Sequence, residues 1–256
     1  MINSSYFNAA SILLVLPFIL AFVLYLFAVK VSRNNNRNWP LHRTIVWISG
    51  ILSAVSAVFG PIAQKAHMDF TFHMIGHLLL GMLAPLLLAL AKPVTLALRT
   101  LSVTNARKLS RILRSRPVRF LSNPIIAAIL NIGGLWALYA TDLFLIMHES
   151  LLAYLIIHIH VFLAGYLFTI SLIYLEAVPH RHSFVFRASV FVCALAGHGI
   201  LSKYIYANPP ENISIEEAKS GGKVMYYGGD LIDLVIIFIL CLHWYQATNP
   251  RRKGHA

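Results

Sequence analysis

Long apolar runs separated by short polar ones dominate the chain, and the runs are too long for strands and too uniformly apolar for the half-polar helices of a soluble domain. A helix that crosses a bilayer needs about 20 mainly apolar residues, because in hydrocarbon each backbone N–H and C=O must find its partner within the segment. Seven stretches meet that length: Ser11 to Val31, Thr44 to Ile62, His73 to Ala91, Pro124 to Thr141, Ser150 to Glu176, Phe184 to Lys203 and Asp230 to Gln246. The pattern predicts an all-α polytopic membrane protein, a seven-transmembrane-helix bundle forming one membrane domain over residues 1–256. It leaves residues 92–123 as a basic loop on one side and residues 204–229 as a loop on the other. Pro17 and Pro85 fall inside spans, where a kink is tolerated in lipid. The first run has no basic segment before it and is too long for a secretion signal, so it is expected to be retained.

Composition supports this reading: 58% of the 256 residues are hydrophobic, only 12% are charged, and the mean hydropathy is +0.71. That is too little charge to cover a soluble globule of this size. The sign of the charge then orients the bundle. All but Lys65, Lys203, Lys219 and Lys223 of the 21 Lys and Arg fall on one side. They include Arg33, Arg37 and Arg43, the run Arg107, Lys108, Arg111 and Arg114, then Arg181, Arg187, Arg251, Arg252 and Lys253. Basic residues stay in the cytoplasm, which places the N-terminus outside and the C-terminus inside. The net charge of +12 is thereby accounted for without nucleic acid. Arg107, Lys108, Arg111 and Arg114 are assigned to topology, anionic lipid headgroups or a partner.

Little in the chain carries catalytic chemistry. Cys193 and Cys241 both fall within spans, with no C-x-x-C pair. There is no phosphate loop, no G-x-S-x-G and no H-E-x-x-H, and the last span has no lysine for a retinal Schiff base. Twelve histidines remain, an unusual number in so apolar a chain. His42, His180, His182, His243 and His255 fall on or near the cytoplasmic side. On or near the opposite face lie His67, His73, His77, His148 and His198, with His158 and His160 farther down the fifth span. His73 and His77 are spaced i, i+4 and share one helix face, whereas His158 and His160 point to opposite sides of theirs. Ionisable groups within a membrane mark a functional interior. Asp230 and Asp233 add carboxylates at the outer start of the seventh span, and Met68, Met74 and Met147 add thioethers near it. Such donors suit copper or zinc.

The stretch from Asp69 through Phe-Thr-Phe-His73-Met-Ile-Gly-His77 to Pro85, continuing to Lys92-Pro93 and Arg99, resembles the signature of the polytopic CtaG-type cytochrome c oxidase assembly factors. The likeness extends through Asn123-Pro124, Tyr139-Ala-Thr141, His148, His158, Gly165 to Phe168, Arg187, His198 and Met225-Tyr-Tyr-Gly-Gly-Asp230. It implies a seven-helix factor of bacterial plasma membranes that is needed to build an active haem-copper oxidase and assists copper insertion. It does not extend to the single-span copper chaperone of the same name, which uses cysteine ligands. Any copper here would therefore rest on His, Met or Asp. The expected site is His73, His77, His158 and His198 with Asp230 and Asp233, and His67, His148 and Met74 are further candidates. An external donor would pass copper to it, for lateral delivery to an oxidase subunit, without enzymatic chemistry. Two alternatives stand beside this one: a metal-free scaffold for oxidase subunits, and a membrane electron carrier with haem held between paired histidines. Zinc is the alternative ion.

Overall fold

A computed structural model describes residues 4–176 and 181–249. His180, Arg251, Arg252, Lys253 and His255 lie outside the described residues. The chain runs through α1 (Ser4–Asn34), α2 (Leu41–Val58), α3 (Pro61–Ala66) and α4 (Phe70–Leu90). Three short helices follow, α5 (Pro93–Thr100), α6 (Val103–Leu113) and α7 (Arg116–Leu121). The second half comprises α8 (Pro124–Ala140), α9 (Leu143–Glu149), α10 (Leu151–Leu172), α11 (Phe184–Ala207) and α12 (Ile215–Thr248). Among the described residues there is no strand.

Six helical stretches are long and apolar enough to cross a membrane, and the bent pair α8 and α9 makes a seventh. Their outward faces are greasy: Leu16, Leu20 and Phe27 of α1, and Leu231 and Phe238 of α12, are all more than half exposed. A soluble protein would not present so continuous an apolar surface to water. Inside, Trp47, Leu80, Leu135, Ile157 and Leu201 belong to one buried cluster, and Leu86, Phe168, Phe191 and Ile236 to another.

Helix starts are set by side chains that satisfy the free N–H groups of the first turn, each worth about 1 kcal/mol. The Asp69 carboxylate accepts from Thr71 N at 2.7 Å and Phe72 N at 3.4 Å, Asn123 accepts from Ile125 N at 3.0 Å, and Ser150 accepts from Ala153 N at 3.3 Å. Ser214 and Glu217 form a reciprocal capping box. That box corrects the expected loop at 204–229, because the last helix starts at Ile215 rather than near Asp230. Glu216, Glu217, Lys219, Lys223 and four glycines give the segment a loop-like composition. The glycines instead permit close packing on α4 and α11: a Cβ at Gly221 would lie 2.6 Å from Phe70, and one at Gly222 would lie 2.9 Å from the Ser202 carbonyl. The expected loop at 92–123 is likewise helical in part, as α5 to α7. The expected span ending at Glu176 stops at Leu172.

Three irregularities shape one end of the bundle. Gly60, at φ +93°, breaks the second span between α2 and α3, a conformation L side chains rarely adopt. The break leads to His67. The fourth span bends by 79° between α8 and α9, and α9 carries His148. Two π turns, Leu79–Leu83 in α4 and Ile129–Gly133 in α8, each add a residue to a helical turn. At the first, Gly165 of α10 packs so tightly on the Gly81 backbone that a side chain there would run into its carbonyl.

The opposite end is tied by hydrogen bonds. Trp39 donates from Nε1 to the Tyr25 hydroxyl at 3.0 Å, which donates in turn to the Ala91 carbonyl at 3.0 Å. The Arg43 guanidinium lies 4.7 Å over the Trp39 ring. Glu176 accepts from Thr95 N at 2.9 Å, at the start of α5. Burial raises the Glu176 carboxyl above its usual range and lowers Lys92 below its own, each partly offset by the other's opposite charge. Arg187 donates to the Leu172 carbonyl and lies 4.3 Å over the Tyr174 ring.

Candidate functional site

His73 and His77 point the same way because Asp69 fixes the start of α4 and the two lie one turn apart. They help line a cavity of about 40 Å³, together with His67, His148, His158, Tyr139, Tyr154 and Met147. Room for an ion or a water or two is all that volume provides. His73 Nε2 is 3.0 Å from the Tyr139 hydroxyl. The His148 ring lies 6.1 Å from His67 and 6.1 Å from His73, between centroids, which makes it the hub of the group. Tyr154 covers His158 at 4.0 Å and His67 at 5.6 Å.

Hydrogen bonding fixes two tautomers. His148 Nδ1 is 2.8 Å from the Phe144 carbonyl, and His158 Nδ1 is 2.8 Å from the Tyr154 carbonyl. A carbonyl can only accept, so in both rings Nδ1 carries the proton and Nε2 keeps a bare lone pair. This is the orientation in which histidine ligates metals through Nε2. His67 sits in the turn between α3 and α4, and burial, followed by the neighbouring His148, lowers its pKa to about 4. It is therefore neutral at physiological pH, the form in which an imidazole can bind a cation.

A second, smaller cavity of about 20 Å³ lies farther along α4 and takes in His198 and Asp233, with Asn131, Thr169 and Met82. The expected four-histidine set is thus divided. His73, His77 and His158 line the first cavity, whereas His198 lines the second. His77 links them, its ring 6.3 Å from that of His198. His77 and His198 are buried, at 7% and 5% exposure, yet both ring nitrogens of His77 and Nε2 of His198 have no hydrogen-bond partner. Asp233 is 4% exposed.

Other candidates fall elsewhere. Asp230 is exposed on α12 and lines neither cavity. Met74 is fully buried in the core and Met68 is 83% exposed. His160 faces away from His158, 3.0 Å from the Leu130 carbonyl within the π turn of α8. Tyr139, Tyr154, Asn131 and Met82 are constituents that sequence reasoning missed, since aromatic, amide and thioether residues in apolar spans look like packing. Among the described residues, no three His, Cys, Asp or Glu side chains converge closely enough to hold a metal in their present rotamers. On the basic side, Arg37, Arg99, Arg107, Arg111, Arg114 and Arg116 line a groove of about 1190 Å³, and Lys108 is exposed on the same helix as Arg107.

A family model described as cytochrome c oxidase caa3 assembly factor matches residues 23–247. An uncharacterized protein of Mycobacterium leprae is 27% identical over 252 residues, covering 89% of this chain and 38% of the relative. Uncharacterized proteins of Mycobacterium bovis and Mycobacterium tuberculosis are each 30% identical over 173 residues, covering 65% of this chain and 26% of theirs. The chain therefore spans between about a quarter and two fifths of the length of these relatives. No solved structure matches it.

Proposed function

The chain belongs to the cytochrome c oxidase caa3 assembly factor family, and from that premise we propose that it carries copper, as cargo, to the oxidase during assembly. It is a multi-pass protein of the bacterial plasma membrane whose partners are oxidase components. The observation that carries the copper reading is the cavity lined by five histidines from three helices and the turn before α4, two of them with Nδ1 bound to a backbone carbonyl so that Nε2 keeps its lone pair.

In this reading the distribution of Lys and Arg places the N-terminus and the histidine cavity outside, where an external donor can reach them. His67, His73 and His148 receive the ion by turning inward from their 6.1 Å ring separations. His158 supplies a further imidazole from α10. The Tyr139 hydroxyl holds His73 until the ion arrives. Handover follows laterally to an oxidase subunit in the same membrane, and no bond is made or broken in the cargo, so the role is not enzymatic. Zinc is less suited, because it asks for a near-tetrahedral set fixed in advance. A haem has no room in a cavity of about 40 Å³.

Copper stoichiometry of the purified protein tests this directly. Wild type should bind copper and a His73→Ala/His148→Ala variant should lose the outer ion, with oxidase assembly failing in cells although the variant accumulates. Unchanged copper binding in that variant would overturn the assignment. The metal-free scaffold reading is favoured by the lack of three converging ligands among the described residues. It expects the same variant to assemble oxidase normally.

A further inference from the structure

The smaller cavity has the marks of a site in its own right. Buried polar groups in folded proteins are almost always hydrogen-bonded, and a buried donor or acceptor left alone costs about 1–3 kcal/mol. His198 lines this cavity, and His77 borders it from the larger one with its ring 6.3 Å from that of His198. The two are each more than nine-tenths buried and leave three ring nitrogens unmatched among the described residues. Asp233, buried against the same space, makes no hydrogen bond among the described residues. Both π turns among the described residues help line the cavity: the first contributes Gly81 and Met82, and the second contributes Asn131 and Ile132. Such turns cost helix hydrogen-bond geometry and are found mostly where function needs them. The space is also kept small. A Cβ at Gly229 would lie 2.6 Å from His198, and one at Gly81 would lie 3.4 Å from His77.

We propose that the space between His77 and His198 is a second, inner copper station that takes the ion only in its cuprous form, with Asp233 as its counter-charge. The proposal rests on the copper reading above. Two arguments select the ion. The first is charge. Within the membrane an uncompensated charge is costly. A monovalent cation beside one carboxylate and two neutral imidazoles leaves no net charge, whereas a divalent ion leaves one. The second is coordination. The ring centroids are 6.3 Å apart and the planes are inclined by only 28°. Two metal–nitrogen bonds of about 2.0 Å each, added to the two ring radii, span roughly that separation, so the two imidazoles can hold an ion between them without a third once each ring turns a nitrogen towards the other. Zinc asks for four ligands. Met82, which lines the same cavity as His198, brings a thioether, a soft donor that favours cuprous copper. The ion thus has a route from the outer histidines through His77 to His198, each step shorter than the passage across the membrane.

The test is an anaerobic titration of the full-length protein in detergent with cuprous ion, against a chromophoric cuprous chelator, with zinc titrated in parallel. Wild type is expected to bind two cuprous ions. His198→Ala should bind one, and Asp233→Asn should hold the inner ion at least tenfold more weakly, since it keeps the shape and removes the charge. His73→Ala/His148→Ala should lose the outer ion and keep the inner one. X-ray absorption of that last variant should show copper with two nitrogen neighbours. Gly229→Ala gives a second route to the same site, by pushing the His198 ring aside without touching a ligand. If His198→Ala and Gly229→Ala both keep the wild-type stoichiometry, the inner station is overturned and the outer site stands. Zinc binding at the inner site as tightly as cuprous ion also overturns it. A wild type that binds no copper overturns both readings together.

Discussion

The two ends of this bundle carry different chemistry in their buried polar groups. At the basic end several groups meet protein partners, Trp39 with Tyr25, Tyr25 with Ala91, Glu176 with Thr95 and Arg187 with Leu172, although Thr44 Oγ1, Trp47 Nε1 and Arg187 Nε have none among the described residues. At the histidine end, His148 and His158 spend one nitrogen on a carbonyl and keep the other bare, and His77 has no partner for either. Both arrangements sit in the same apolar bundle, so hydrophobicity does not explain the difference. The bonds at the basic end tie helices together, while the bare imidazole nitrogens at the other end tie nothing. What sets the histidine end apart is the kind of group left over, imidazole nitrogens that can ligate a metal, rather than the number of unmet hydrogen bonds.

Substitutions at the two ends should separate stability from copper handling. The largest effect is expected for His73→Ala/His148→Ala, which should lose the outer copper and stop oxidase assembly although the protein still accumulates. The reverse split is expected at the other end. Tyr25→Phe strands the Trp39 N–H and the Ala91 carbonyl and should cost about 1–3 kcal/mol of stability, read as a lower thermal midpoint with copper stoichiometry unchanged. If the tyrosine variant also lost copper, the ends would not be independent.

Acidity offers a finer comparison, because the two ends should respond with opposite signs. His67 has a folded pKa of about 4, below the ordinary 6.5. The unfolded chain therefore binds more protons between those values, and the His67 contribution is full above pH 6.5 and lost as pH falls towards 4. Glu176 is raised, so its contribution is full below its ordinary 4.5 and declines as pH rises through the folded value. Thermal midpoints across pH 4 to 8 should show a shallower acid loss in His67→Gln and a shallower alkaline loss in Glu176→Gln, each relative to wild type. A matching change in both variants would contradict the assignment of opposite signs. The smallest effect is expected at Asp230, which is exposed: Asp230→Asn should alter neither copper binding nor stability beyond about 0.5 kcal/mol.

Most of the bundle was legible in the sequence because lipid imposes a blunt requirement, a run of apolar residues long enough to pair its own backbone. The start of α12 was not, since Gly221, Gly222, Gly228 and Gly229 read as loop punctuation when their use is close packing on Phe70, Ser202, Leu78 and His198. The histidines were legible as a group and His73 with His77 as a pair, because i, i+4 spacing is visible in one dimension. Their division between two cavities was not. It depends on the 79° bend that leads to His148, on the Gly60 break that leads to His67, and on π turns, and none of these leaves a trace in hydropathy. His158 and His160 illustrate both cases: opposite directions followed from spacing, but which one faced the cavity needed the carbonyl of Leu130.

The π turn at Leu79–Leu83 also acts as a phase shifter. One extra residue in a turn rotates everything before it by about 100° relative to everything after it. The helix can thereby aim His73 and His77 inward at one end while seating Leu86 in the core at the other. Deleting a single residue from this turn would leave composition, length class and apparent spans almost as they were. The bundle would still be written in the chain, but its two histidines would face a different neighbour. A relative can thus look alike in every profile of apolar and polar positions and still lack the histidine-lined cavity, so an alignment gap of one at this turn says more about that cavity than many substitutions around it.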